Sequence, residues 1–326
     1  MKKTMSVFAV LLAAIAAWTI GGEARAQDYP SRPVTIVVPY PPGGGVDVLA
    51  RVIAEKLSGA LKQQVIVDNR GGGGGIIGTR SVAKAEPDGY TLLLGHTGTM
   101  AINPTLYANP GYDPRKDFAP IGLVASMPVA LIAHPSFPAK TVAEYIALIK
   151  KEPGKHNLGT SAIGTGSYLC AELFKSMAGL EMTLVPYRGT APLMNDLLGA
   201  HVPIAFGVLP PALGNLQAGK LRALAVTSKI RFSGLPDVPT VDQSGLPGFE
   251  AVLRYGLLAP AGTPKPIIER LNKELRALVN TEDVKKRIFN EGGDPVTSTS
   301  EEHVIDIDRE EKKWAALIKK LNLKVE

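Results

Sequence analysis

Apolar positions along this chain alternate between two rhythms. Val34-Thr35-Ile36-Val37-Val38 is a short continuous apolar run, the pattern of a strand buried on both faces. Pro39 to Gly45 interrupts it, and then Val46, Leu49, Ala50, Ile53 and Leu57 fall on one face of a helix. The order repeats with strand Val65-Ile66-Val67, a run of five glycines, helix Thr79–Lys84, the turn Pro87-Asp88-Gly89 and strand Tyr90–Leu94. Strands alternating with helices through short loops predict a parallel α/β architecture.

The same order restarts near Ile121. Thr141 and Glu144 have the spacing of a capping box for helix Val142–Lys151. Strand Asn157–Thr160 runs into a loop of small residues, Ser161 to Ser167, and a further helix to Met177. Leu184-Val185 leads to Tyr187-Arg188-Gly189-Thr190, Ile204-Ala205-Phe206 leads to Gly207 and Pro210-Pro211, and Leu224-Ala225-Val226 is another strand. The last part reads as helical. Thr263 with Pro264 is the expected start of helix Ile267–Val279, and Ser298 with Glu301 the expected capping box of a helix reaching Leu321.

The start of the chain changes the expected location. Met1-Lys2-Lys3, an apolar stretch from Val7 to Ile20 and small residues at Ala24 and Ala26 describe a secretory signal peptide cleaved after Ala26. The apolar stretch is shorter than the roughly 20 residues of a membrane span. Removing 26 of 326 residues leaves 300, which at roughly 100–200 residues per domain predicts two domains. The chain is 45% hydrophobic and 20% charged, a globular composition. Of its net charge of +6, the leader accounts for +2 through Lys2, Lys3, Arg25 and Glu23, so +4 remains. The charges are dispersed and no nucleic-acid motif accompanies them, so nucleic acid is not an expected partner. Cys170 is the single cysteine, sits in an apolar helical run and is expected to be a buried core residue.

Three loops in the first half share one chemistry: Pro41-Pro42-Gly43-Gly44-Gly45, Gly71 to Gly75, and His96-Thr97-Gly98-Thr99. Each follows a strand, and two open helices, whose first N–H groups lack partners and carry partial positive charge. In open parallel sheets such loops gather at the carboxyl ends of strands, and donors of this kind suit a carboxylate. The second half offers a matching set: Ser161 to Ser167, Tyr187 to Thr190, and Phe206-Gly207. Two facing sets of donors predict a cleft closed from both sides.

Enzymatic readings fare worse. Gly73-x-Gly75-x-x-Gly78 matches a dinucleotide fingerprint, but the following strand ends in Gly95-His96 without the carboxylate that the ribose requires. There is no nucleophile elbow and no phosphate loop. Histidines 96, 134, 156, 201 and 303 are too dispersed for a metal site. No catalytic residue, metal or cofactor is therefore expected. Asp47 is expected to cap or compensate the first helix, and Arg188 could meet a ligand carboxylate or a surface partner.

Ordered motifs run through nearly the whole chain after the leader. They include Tyr29-Pro30-Ser31-Arg32-Pro33, Val38-Pro39-Tyr40-Pro41-Pro42-Gly43-Gly44, Val67-Asp68-Asn69-Arg70 and Pro87-Asp88-Gly89-Tyr90-Thr91-Leu92-Leu93. Further on come Asn103-Pro104, Val185-Pro186-Tyr187-Arg188-Gly189, Gly219-Lys220-Leu221-Arg222-Ala223-Leu224-Ala225-Val226 and Leu258-Ala259-Pro260-Ala261-Gly262-Thr263-Pro264. In these the chain closely resembles the Bug family, the substrate-binding proteins of tripartite tricarboxylate transporters.

The resemblance implies a periplasmic solute-binding protein of type II fold. This is α/β and two-lobed, each lobe a mixed sheet flanked by helices, with hinge crossovers near Met127-Pro128 and near Leu253–Leu258. Residues 27–127 with 251–326 would form lobe one, and 128–250 lobe two. It further implies that Tyr40, Gly43, Gly44 and Gly45, with Gly74 and Thr97, hold a carboxylate from lobe one together with ordered waters. Gly164, Thr165, Ser167, Tyr187 and Gly189 would act from lobe two. The implied partners are a small carboxylate and the membrane subunits of such a transporter, with the binding protein itself a monomer. Two positions depart from the family pattern. Gly207 stands where many relatives carry an Asp able to accept from a ligand nitrogen, and Tyr168 where a His is frequent. The expected ligand therefore lacks an amino group and is a dicarboxylate or an aromatic acid. A sensing receptor with the same clam-shell, or an exported enzyme acting on carboxylates, are the competing readings.

Overall fold

A computed structural model describes residues 29–163 and 165–325. The expected signal peptide and Gly164 lie outside the described residues. The chain runs β1 (Val34–Val38), α1 (Gly45–Leu61), β2 (Val65–Asn69), α2 (Ile76–Ala83), β3 (Thr91–His96), α3 (Asn103–Leu106) and β4 (Phe118–Ala133). It continues with α4 (Val142–Lys151), β5 (Asn157–Thr160), α5 (Gly166–Ala178), β6 (Thr183–Pro186), α6 (Thr190–Leu198), β7 (Ile204–Val208), α7 (Leu209–Gln217) and β8 (Arg222–Val226). It ends with β9 (Val252–Pro260), α8 (Lys265–Val279), α9 (Glu282–Asn290), β10 (Asp294–Pro295) and α10 (Ser300–Lys320).

The strands join in the order β2-β1-β3-β9-β4-β7-β5-β6, with β8 and β10 also on β4. β1 is parallel to β2 and β3, and β5 is parallel to β6 and β7. β9 runs antiparallel between β3 and β4, and β4 runs antiparallel to β7, so each half of the sheet is mixed. β1 is buried along almost its whole length because helices cover both faces, which is why its sequence is a continuous apolar run. The α1 stripe of Val46, Leu49, Ala50, Ile53 and Leu57 is buried as its spacing requires.

β4 is the element that joins the halves. Its residues from Phe118 to Pro128 pair with β9, and those from Val129 to Ala133 pair with β7 and β8. On the way back the chain enters β9 at Val252, which pairs with Pro128. Thr227, wholly buried, ties the two passages together. Its hydroxyl accepts from the Val129 N–H and donates to the Ala251 carbonyl, while its backbone carbonyl takes the Ala251 N–H.

Three expected helix starts move. α2 begins at Ile76, three residues before Thr79, because the glycine run itself turns into the helix. Thr263 is not a cap: its hydroxyl donates to the Pro260 carbonyl, Pro264 is the N-cap, and α8 starts at Lys265. The capping box of α10 is Thr299 with Glu302, one residue beyond the Ser298–Glu301 pair. Ser298 instead accepts the Leu123 N–H, which pins the loop to β4. α4 spans its expected residues, with Thr141 capping the Glu144 N–H.

Candidate ligand-binding cleft

Every parallel strand that precedes a helix delivers its loop to the carboxyl edge of its half-sheet. Beneath the first loop lies a polar network that fixes its shape. Asp47 Oδ2 accepts from the Gly43 N–H at 3.0 Å and from Arg51 Nε at 3.1 Å, and its Oδ1 accepts from Asn69 Nδ2 at 3.0 Å. Burial works to raise the Asp47 pKa, but the bonds from Arg51, Gly43 and Asn69 together hold it below the ordinary carboxylate value. Asn69 also donates to the Tyr40 carbonyl, tying the first loop to the second.

Gly43 N–H is thus engaged within the loop. Gly44 is the N-cap of α1, no side chain caps that end, and the first helical bond is Val48 N–H to the Gly44 carbonyl. The N–H groups of Gly44 and Gly45 therefore sit at an uncapped helix start, and a methyl group placed on Gly43 or Gly44 would meet open space.

Tyr40 acts as a strut. Its hydroxyl donates to the Gly74 carbonyl at 2.9 Å, and its ring stacks on His96 at 4.9 Å. Burial holds its phenol well above the ordinary pKa. The Gly74 carbonyl also accepts from Asn103 Nδ2 at 2.9 Å. Desolvation lowers the His96 pKa to about 4, so the ring is neutral near pH 7 and Nδ1 accepts the Gly98 N–H at 2.7 Å. His96 thereby joins the first and third loops as a loop-stabilising histidine. Thr97 accepts the Arg254 N–H at 2.9 Å and lines a small cavity against α10 with Arg254, His303, Asp306 and Glu310.

In the second half the side chains expected as donors are largely engaged with their own loops. Thr165 caps α5, and its hydroxyl donates to the Ala162 carbonyl at 2.6 Å. Ser167 is 1% exposed; it donates to the Phe206 carbonyl and accepts the Ser161 N–H. It is a brace between two loops rather than a free donor. The Tyr187 hydroxyl donates to Asp196 Oδ2 at 2.7 Å, and burial with this carboxylate pushes its pKa up to about 12. Gly189 is the N-cap of α6, with φ of +126° and open space where a Cβ would stand. Gly207 lies inside β7 opposite Ala130, where a Cβ would come within 3.2 Å of Ile132. Arg188 is exposed and has no ion pair among the described residues.

The two sets of loops meet. A Cβ on Gly74 would stand 2.6 Å from the Tyr107 hydroxyl and 3.2 Å from the Ile163 carbonyl, and Tyr107 Oη lies 3.4 Å from that same carbonyl. Gly166 packs on Leu253 on the other side of the division. In the sequence Asn103 stands out only as a motif residue, and no motif marks Tyr107 or Ile163. Tyr107 stands four residues beyond Asn103, one helical turn along, which was the available signal.

A sheet of this order, with strand-to-helix loops from two half-sheets meeting edge to edge, is that of a periplasmic solute-binding protein. The family described as "tripartite tricarboxylate transporter family receptor" matches residues 49–323. The chain is 40% identical to a structure of the periplasmic binding protein BugD, covering 91% of this chain and 99% of that one, with a TM-score of 0.84. Rpa4515 of R. palustris, with adipate, is 36% identical over 91% of this chain and 99% of its own, with a TM-score of 0.87. MatC of Rhodopseudomonas palustris, with bound malate, is 32% identical over 89% and 100%, with a TM-score of 0.83. The chain belongs to this TctC receptor family, is similar to BugD over nearly its whole length, and is a solute-binding protein rather than an enzyme.

Proposed function

We propose that the protein captures a small carboxylate in the periplasm and delivers it to the membrane subunits of a tripartite tricarboxylate transporter. The observation that carries this reading is the meeting of donor loops from two half-sheets at Gly74, Tyr107 and Ile163. Residues 27–127 with 251–326 act as one lobe and 128–250 as the other, hinged at the Thr227 tie. The mature protein begins after Ala26 and works as a monomer.

The uncapped start of α1 at Gly44 and Gly45 receives one carboxylate, with ordered waters completing its shell. Gly43, Tyr40 and Gly74 hold that loop in shape. From the second lobe, Gly189 and the N-terminus of α5 beside Thr165 and Ser167 face the rest of the ligand. Relatives with adipate and malate support a ligand bearing two carboxylates. Gly207 offers no side-chain acceptor to an ammonium group, which favours a dicarboxylate or aromatic acid over an amino acid. Titration calorimetry with malate, adipate, benzoate, aspartate and glutamate tests this. Binding of a dicarboxylate or benzoate is expected, and tight binding of the amino acids alone would overturn it.

A further inference from the structure

We propose that Tyr107 is a latch residue that bonds the two lobes only as the cleft finishes closing, so that it sets how long a ligand is held. The inference rests on the capture reading above and names the contact that closure makes.

Tyr107 is fixed from behind. Its N–H donates to the Asn103 carbonyl, and its segment pairs with the end of the chain. The Val325 N–H donates to the Leu106 carbonyl and the Ala108 N–H to the Val325 carbonyl, at 2.9 and 3.2 Å. The acceptor is equally well presented. Ile163 sits in the turn closed by Thr165, whose N–H and hydroxyl both reach the Ala162 carbonyl. Between them lies Gly74, its carbonyl held by Tyr40 and Asn103. Neither partner can drift without disturbing its own lobe.

The Tyr107–Ile163 distance of 3.4 Å is longer than a full O–H···O bond, which falls at roughly 2.5–3.0 Å. A few tenths of an ångström of further closure completes it. The bond thus differs in strength between states, which is what a ligand needs in order to shift an equilibrium between them. Glycine at position 74 is the clearance for this latch, since a Cβ there meets the Tyr107 hydroxyl before anything else. Away from the Thr227–Ala251 tie at the hinge, the other side-chain bond between the halves among the described residues is the exposed Lys320 to Ser176, on a flexible stem.

The test uses the full mature chain with adipate as the probe, and three variants: Tyr107→Phe, Gly74→Ala and the two combined. Stopped-flow kinetics should show Tyr107→Phe releasing adipate about 3–10 times faster, with the association rate unchanged within about twofold, because affinity differences reside mostly in dissociation. Gly74→Ala should weaken binding at least ~10-fold. Adding Tyr107→Phe to it should restore part of the loss, since the hydroxyl is the colliding group; the strain of Ala at a φ of +63° is the same in both backgrounds and cancels. Unchanged release from Tyr107→Phe, or additive losses in the double variant, would overturn the latch. Spin-label distances between the lobes provide a ligand-free arm, in which Tyr107→Phe should raise the open fraction. If the wild-type protein binds no carboxylate, the capture reading fails while this arm still decides the latch.

Discussion

The two sets of loops that face each other are built from the same strand–loop–helix unit, yet they present different surfaces. In the first half, side chains such as Asp47, Asn69, Tyr40 and His96 brace the loops from beneath, and the N–H groups of Gly44 and Gly45 are left at an uncapped helix start. In the second half, the hydroxyls of Thr165, Ser167 and Tyr187 are themselves the braces. A hydroxyl has one hydrogen to donate, and a loop that holds its shape by that hydrogen cannot also offer it to a ligand. In the proposed reading the first half is therefore a backbone receptor for a charged group. The second is a braced wall, which in the same reading would meet the rest of the ligand by its shape more than by its hydroxyls.

The largest effect should come from putting a charge where only the first half would feel it. Gly44→Asp places a carboxylate at the start of α1 with a backbone angle that suits an N-cap. Two like charges about 4 Å apart repel by roughly 4 kcal/mol at a protein surface. Calorimetry should show carboxylate affinity falling at least ~100-fold, with stability within a few tenths of a kcal/mol of the parent. Gly44→Asn, uncharged and similar in shape, should keep most of the affinity; equal losses from both would locate the ligand elsewhere.

Acid should also separate the halves. His96 and His303 are both buried in the first, each with its pKa lowered to about 4 by desolvation. Well above pH 6.5 both the folded and the unfolded forms are neutral, and stability does not depend on these groups. Between about 6.5 and 4 only the unfolded state takes up protons, so stability falls with pH by up to about 3 kcal/mol per histidine. Amide exchange at pH 7 and pH 5 should show protection lost first around β3 and α10. A uniform loss across both halves would contradict the assignment.

Ser167→Ala should affect folding and binding together, unlike Gly44→Asp. It leaves the Ser161 N–H and the Phe206 carbonyl without their partner in the interior, a cost of about 2–3 kcal/mol. Chemical denaturation should register it, with a roughly tenfold loss of affinity alongside. Unchanged stability would mean that the hydroxyl does not brace the wall. Tyr187→Phe, at a half-buried site, should be the mildest, at about 1 kcal/mol or less and within threefold in affinity. A larger loss of binding would give the Tyr187 hydroxyl a direct part in recognition.

Much of this could be read before folding. The periodicity of β1 and α1, the alternation of strand and helix, the limits of α4 and the glycine character of the first loops all follow from local steric and hydrophobic rules, which act over a few residues. Boundaries were less legible where neighbouring residues have equivalent chemistry. Ser298 and Thr299 can each cap a helix, and the choice falls to Thr299 because Leu123, far away in sequence, needs the Ser298 hydroxyl.

What the sequence by itself determined, then, is which residues are able to donate and which segments are strands or helices. Which hydrogens are left to donate was decided only by tertiary structure. Ser167 and Thr165 read as ligand donors because a hydroxyl after a strand has that capacity, but Phe206 and Ala162 claim them once the loops are brought together. Tyr107 drew no notice in the sequence, and acquires its place because the end of the chain holds it opposite Ile163. Capacity to bond belongs to the residue, whereas its use depends on partners that are distant along the chain and adjacent only in space.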